Sequence, residues 1–347
     1  MKSLKIKTCR KATDYPFWDL VYEWEDEFKN RLNASFSYRT KLDRYINKFI
    51  NITNTNMLFP SIPSNSCYTF MWDLSARSKD NRYNRPDIIP NIIDFYVSKD
   101  QLKYFHAAYC KHPFILISSL EVLHFLQKNN FPLKMYHFPL SIADCYRINP
   151  TMQFEKKYDT ILLGRQNNNE SPLTKYMKLY SEKHSDFIYV YRVVSGKPGR
   201  MISKKNVSFD YYTSKGEFLG NISNRTEYIE LIKKCKTGLY STHGIDGGEK
   251  ITKGFNQVTP RFLELVAGGC HVITRYKENP DTDFYQFNEF SSNINTYDDF
   301  EKQMNIALSK PVNMKKYSDY LENHYTSKRV ELLKDIFEKE GIEVYTK

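Results

Sequence analysis

The stretch Val258-Thr-Pro-Arg-Phe-Leu-Glu-Leu-Val-Ala-Gly-Gly-Cys-His-Val-Ile-Thr274 decides how the rest of the chain is read. Pro260 opens a helix at a position where a missing N–H costs nothing. Phe262, Leu263, Leu265, Val266 and Ala267 form its apolar face. Gly268 and Gly269 stop it, because glycine enters the left-handed cap conformation without strain. The apolar run from His271 to Thr274 then reads as a buried strand. Arg261 and Glu264 stand three residues apart on one helical face. One reading of this pair is an intrahelical ion pair. The other is a ligand with a ribose and phosphates. A carboxylate accepts from vicinal ribose hydroxyls, while arginine and a helix N-terminus favour a diphosphate.

Outward from this unit, strands and helices alternate, which predicts parallel sheets covered on both faces. Strands are expected at 4–9, 67–72, 92–97, 114–117 and 134–138, and helices at 17–32, 38–50, 99–109 and 121–128. A second series has strands at 158–163, 187–191 and 237–241, and helices at 173–183, 225–234, 299–308 and 318–340. Residues 195–223 read as polar and irregular. The expected division is a first domain over 1–145, a linker over 146–157, a second domain over 158–325, and a last helix over 326–347 that crosses back to the first domain.

Arg-Phe-x-Glu-x-x-Ala-Gly-Gly-Cys followed by a short apolar strand resembles the nucleotide-sugar signature of group 1 glycosyltransferases. The similarity is greatest to the branch related to spore-coat maturation glycosyltransferases, whose signature has an Arg three residues before the Glu. It extends over roughly residues 155–335. The resemblance implies the GT-B fold, an α/β architecture of two Rossmann-like domains facing across a cleft. It also implies that Glu264 binds the ribose of the donor nucleotide. Pro139-Leu-Ser-Ile is similar to the Pro-x-Gly-[Ile/Val] segment that ends the first domain in that family, with Ser141 in place of the Gly. Asn256 stands where the commoner family pattern, E-x7-E, has its first Glu.

The remaining candidates lie at expected strand ends, where open α/β sheets bind ligands. Leu163-Gly164-Arg165 matches the family's Gly-Arg turn, in which the arginine neutralises the departing diphosphate. Lys175 is the nearest candidate for a lysine that the family has further on. His243 and Gly244 belong to a loop dense in glycine, although the chain has only 13 glycines. Such backbone approaches phosphates or sugar hydroxyls closely. A plain surface turn is the competing reading. Thr259 either caps the signature helix or touches a phosphate. In the first domain, Asp73 and Arg77 follow an apolar strand, and Ser119 follows the next. All three are candidates for acceptor binding. Asp73 is also the candidate catalytic base, with Arg165 as the other catalytic residue. For Asp73 and Ser119 a helix cap is the plainer role.

The 347-residue chain has a net charge of +11, which draws anionic partners. Nucleic acid is not expected, because no compact basic run or RNA-binding aromatic signature is present. An anionic membrane surface and a phosphorylated substrate remain. The six cysteines are dispersed, which argues against a disulfide framework and a zinc site. Asp281-Thr-Asp283 is the one weak pointer to a metal, and it falls in a loop with a proline. No metal and no cofactor are expected. The substrate is a nucleotide diphosphate sugar, and the acceptor is a glycan or lipid-linked hydroxyl in bacterial surface polysaccharide assembly. Without a leader or an apolar span, the expected place of work is the cytoplasm, at the inner face of the membrane. Two alternatives are an epimerase of the same fold and a basic, non-catalytic polyanion binder.

Overall fold

The structure is a computed structural model that describes residues 2–14, 17–39, 63–76, 83–167, 170–196 and 207–344, with residues 42, 45, 46 and 49. The side chains of Phe17, Arg165 and Asn167 are not included, and Arg77 lies outside the described residues, as does most of the expected helix 38–50.

The first sheet is parallel throughout, in the order β2-β1-β3-β4-β5-β6. Its strands are β1 (Ser3–Thr8), β2 (Ser35–Tyr38), β3 (Cys67–Ser75), β4 (Ile88–Asp94), β5 (Ile115–Ile117) and β6 (Met135–His137). Helix α1 (Phe17–Arg31) covers one face, and α2 (Leu102–Tyr109) and α3 (Leu120–Lys128) cover the other. Alternation sets the faces. On β3, Phe70 and Trp72 join the core under α1, so Met71 and Asp73, which alternate with them, point to the α2 side.

The second sheet has the order β10-β9-β8-β7-β11-β12. Four strands are parallel, namely β7 (Tyr158–Leu162), β8 (Tyr189–Gly196), β11 (Cys235–Ser241) and β12 (His271–Arg275). The strands β9 (Val207–Thr213) and β10 (Phe218–Asn221) extend it in the antiparallel sense. Its helices are α4 (Pro172–Lys183), α5 (Arg225–Lys233), α6 (Glu249–Thr252), α7 (Arg261–Ala267), α8 (Pro280–Phe284), α9 (Tyr297–Ser309) and α10 (Met314–Leu321). The signature stretch forms α7, every residue of which from Phe262 to Ala267 is buried.

The last helix, α11 (Thr326–Lys339), packs against the first sheet, with Val330, Leu333, Ile336 and Phe337 in one core with Ile6, Trp24 and Phe28. Arg329 ties it there by donating from Nε to the Pro139 carbonyl at 2.8 Å.

Three readings of the sequence are corrected. The region 195–223 holds β9, β10 and the end of β8. Val207, Phe209, Tyr211 and Thr213 are buried in alternation, a period-2 pattern hidden by its polar partners. The strand expected at 92–97 runs instead from Ile88 to Asp94, because it pairs with β3 through Ser75↔Asp94. Finally, Ser35–Tyr38 forms the edge strand β2 between the two helices expected there.

Candidate functional site

The turn after β7 is built on Gly164, whose φ of +53° lies in the left-handed region that favours glycine. A Cβ at Gly164 would stand 2.5 Å from Cζ of Arg261, so the guanidinium lies directly on this turn. Arg261 is half-buried and has no hydrogen bond or salt bridge to any described residue. It lines a cavity of about 70 Å³ together with Gln166, Tyr240, Ser241, His243 and Thr259. These residues come from the carboxyl ends of β7 and β11 and the start of α7, the edge where open α/β sheets bind ligands. By the usual space per water, the cavity has room for roughly five molecules, a phosphate-sized volume.

The lining is fixed from below. Gln166 donates to Ser241 Oγ at 2.6 Å and is 1% exposed. The buried Tyr240 hydroxyl accepts the Thr259 N–H at 2.8 Å, which sets the entry to α7. Burial pushes that phenol up to about 12, so it stays protonated. Gly244 abuts the Phe255 carbonyl, which a Cβ would approach to 2.0 Å.

Glu264, one turn further along α7, does not pair with Arg261. Its Oε1 accepts from Arg225 at 2.8 Å and its Oε2 from the Tyr228 hydroxyl at 3.0 Å. Arg225 also donates to Glu23 of α1 at 3.1 Å, and Glu23 accepts the Tyr146 hydroxyl. This buried chain therefore runs from the second domain to the first. Desolvation opposes the charge on Arg225, but the two carboxylates overcome it and hold the guanidinium protonated.

From the first domain, Tyr96 reaches across to His243, its hydroxyl 3.0 Å from Nδ1. Asp94, at the end of β4, bonds to Tyr96 and senses the charge of Arg261. Burial raises its pKa to about 6, against the opposing pull of Tyr96 and Arg261. The sequence reading missed Asp94 because it ran the strand on to Val97, which made the aspartate an interior residue. The available signal was an acidic residue inside an apolar run.

The other expected site residues do not gather at the cavity. Asp73 points to the α2 side of the sheet, where its Oδ2 accepts the Tyr109 hydroxyl at 2.7 Å, and it is 7% exposed. Ser119 is 3% exposed; its hydroxyl donates to Asp281 and accepts the Val122 N–H at 3.2 Å, a helix cap. Asp281 also accepts the Leu120 N–H at 2.6 Å, so a carboxylate of the second domain caps a helix of the first. Lys175 forms an exposed pair with Glu170 at 2.9 Å. Gly164, Thr259, Arg261 and His243 do come together, with Gly244 next to them in the chain. Among the described residues no group of three or more His, Cys, Asp or Glu is arranged to hold a metal ion. No described helix is long and apolar enough to cross a membrane.

No family model and no curated protein matches this sequence. Solved structures do. AviGT4, a glycosyltransferase involved in avilamycin A biosynthesis, superposes with a TM-score of 0.54 at 8% identity, covering 100% of both chains. WaaG, a glycosyltransferase involved in lipopolysaccharide biosynthesis, gives 0.52 at 9% identity, covering 95% of this chain and 99% of its own. The N-terminal domain of the trehalose-6-phosphate phosphatase of Candida albicans gives 0.51 at 8% identity, covering 98% of this chain and 97% of its own. At such identities the likeness is one of fold. With two six-stranded, mostly parallel sheets, the chain has the GT-B fold of the glycosyltransferases AviGT4 and WaaG.

Proposed function

We propose that the protein is a glycosyltransferase that moves a sugar from a nucleoside diphosphate sugar to an acceptor hydroxyl. One observation carries this reading. Arg261 is a guanidinium without a hydrogen-bonding partner among the described residues, lying on the Gly164 turn at the carboxyl edge of the second sheet. A cation held there stabilises the diphosphate that departs as the glycosidic bond breaks. Arg165, in the same turn, is assigned to the same charge. Thr259, His243 and Gly244 supply polar contacts to the phosphates or the sugar. Glu264 is assigned to the ribose, since each of its oxygens, though already engaged once, retains a second acceptor site.

A nucleotide sugar needs a site of several hundred Å³, so the cavity at Arg261 is assigned to the phosphates alone. The acceptor is assigned to the first domain, as a glycan or lipid-linked hydroxyl. The net charge of +11 suits work at an anionic membrane surface.

A thermal-shift screen with UDP, GDP, CMP and dTDP, with and without attached sugars, tests the reading. At least one should raise the melting temperature. If none does and a polyanion does, the reading falls to a non-catalytic binder. Interconversion of the donor sugar without an acceptor would instead mark an epimerase.

A further inference from the structure

A second cavity, of about 810 Å³, lies at the end of the second sheet away from Arg261. Lys236, near the start of β11, His271, which opens β12, and Gly269, just past α7, all line it. Tyr240 and Ser241, which line the cavity at Arg261, stand at the other end of β11, roughly 15 Å away at about 3.3 Å per residue. Ligands of open α/β sheets sit at the carboxyl edge, so the donor site does not account for this amino-edge cavity. Its lining is basic and apolar at once. Lys156, Lys236, Lys310 and Lys315 line it, and no described carboxylate does. Lys236 pairs with Asp159 and Lys315 with Asp319, each at 2.8 Å. Lys156 and Lys310 have no ion pair among the described residues. Lys156 is half-buried and donates to the Cys235 carbonyl at 2.8 Å and the Gly268 carbonyl at 2.9 Å, which leaves one of its three donors over. A cation drawn out of water calls for a counter-charge, and among the described residues none is supplied. Helix α10 adds the partial positive charge of its N-terminus, since Asn313, Met314 and Lys315 line the same cavity. Beside these charges Met152, Phe154, Val312 and Met314 form an apolar wall that rests on the core of the second domain.

We infer that this cavity is a second binding site, for a free organic phosphate with an apolar body. The phosphate meets Lys156, Lys310 and the N-terminus of α10, and the body lies on Met152, Phe154 and Met314. A neutral or cationic ligand would leave the two lysines unanswered, and a wholly hydrophilic anion would leave the apolar wall in water. Inorganic phosphate alone is too small, because cavities of roughly 300–1,000 Å³ hold whole organic ligands. A concave site also favours a molecule that enters it over a bilayer that lies across it. The inference does not rest on the proposed function, since the two cavities share no lining residue.

Calorimetric titration of the full chain with ethyl, butyl and hexyl phosphate is the test. Affinity should rise by about twofold to fourfold for each methylene added, the worth of burying it. Inorganic phosphate and hexanol should each bind far more weakly than hexyl phosphate. Lys310 is exposed and unpaired among the described residues, so Lys310→Glu keeps the fold. It should bind hexyl phosphate about tenfold or more weakly, while Lys310→Arg binds as wild type does. Lys334→Glu makes the same charge change on an exposed residue of α11 away from the cavity, and should also bind as wild type does. Saturating UDP or GDP should leave the affinity for hexyl phosphate unchanged. A wild type that binds no alkyl phosphate overturns the site, as does inorganic phosphate binding as tightly as hexyl phosphate. Equal losses in Lys310→Glu and Lys334→Glu overturn it too, by reducing it to overall charge. Binding to phosphatidylglycerol vesicles without binding to hexyl phosphate would overturn it in favour of a membrane contact. Competition by UDP or GDP would make this cavity the nucleotide site and overturn the assignment of the phosphates to Arg261 as well. A protein that binds hexyl phosphate and no nucleotide upholds this site and overturns only the proposed function.

Discussion

Arg225 donates to Glu264 across 2.8 Å, and this pair, rather than a contact with Arg261, holds the carboxylate of the signature helix. Arg225 also binds Glu23 of α1 at 3.1 Å, while its Nη2 is buried with no hydrogen-bond partner among the described residues. One arginine thus neutralises two carboxylates from different domains. The arginine three residues before Glu264 is left to face the cleft.

Arg225→Ala should be the most destabilising single change near the site. It strands Glu23 and Glu264 as buried carboxylates without a counter-charge. Breaking a buried pair by removing one partner costs about 3–5 kcal/mol. Chemical denaturation would measure it, and a variant as stable as wild type would mean that the network does not support the fold.

Glu264→Gln keeps the shape and the Tyr228 contact but removes the charge. If Glu264 accepts from the ribose, nucleotide affinity should fall by roughly tenfold to a hundredfold, since a hydrogen bond to a charged group contributes about 1.5–3 kcal/mol. Calorimetric titration with the nucleotide found by thermal shift reads this directly. Unchanged affinity in a folded variant would leave Glu264 as a structural partner of Arg225 alone.

Arg261→Met should behave in the opposite way to Arg225→Ala. Among the described residues Arg261 has no hydrogen bond or salt bridge to lose, so stability should stay within about 0.5 kcal/mol of wild type. Affinity for the nucleoside diphosphate should drop sharply, while the corresponding nucleoside should bind equally well to both proteins. An equal loss for nucleoside and diphosphate would remove Arg261 from the phosphates.

These contrasts also mark what the sequence could convey. The helix–glycine–strand unit around Arg261 was legible because periodicity and a glycine stop are local properties. Gly164 could be matched to Arg261 only as members of one expected edge, and the two do touch. Arg225 carried no such signal. It sits in an ordinary amphipathic helix, and only the packing of α5 on α7 brings it to Glu264. The cap at Ser119 was legible, but its partner was not: Asp281 looks like a loop residue, and its capping of a first-domain helix exists only after folding. Asp94 escaped because the strand boundary moved by three residues, from Val97 to Asp94. Strand ends are set by pairing with neighbours, which one strand's own sequence does not encode.

Glu25 makes a prediction about pH. It is 1% exposed under the first sheet, and burial raises its carboxyl to about 7 from the ordinary 4.5, against opposing contributions from Thr8 and Arg10. Arg10 Nε stands 3.3 Å from it. The native carboxyl keeps its proton up to about pH 7, while the unfolded chain releases it near 4.5. Between these values the native state binds more protons, so this group's contribution to stability falls as pH rises through the window and is level above it. His137 and His324 are lowered by burial, so their contributions change in the opposite direction. The difference between wild type and Glu25→Gln isolates Glu25. The glutamine carbonyl can still accept from Arg10, and the variant carries no charge to bury. Its melting temperature should match or trail wild type near pH 5 and exceed it at pH 8, with the gap opening between about pH 4.5 and 7. Parallel curves across that range would mean that Glu25 stays ionised in the fold, with Arg10 sufficient to hold its charge.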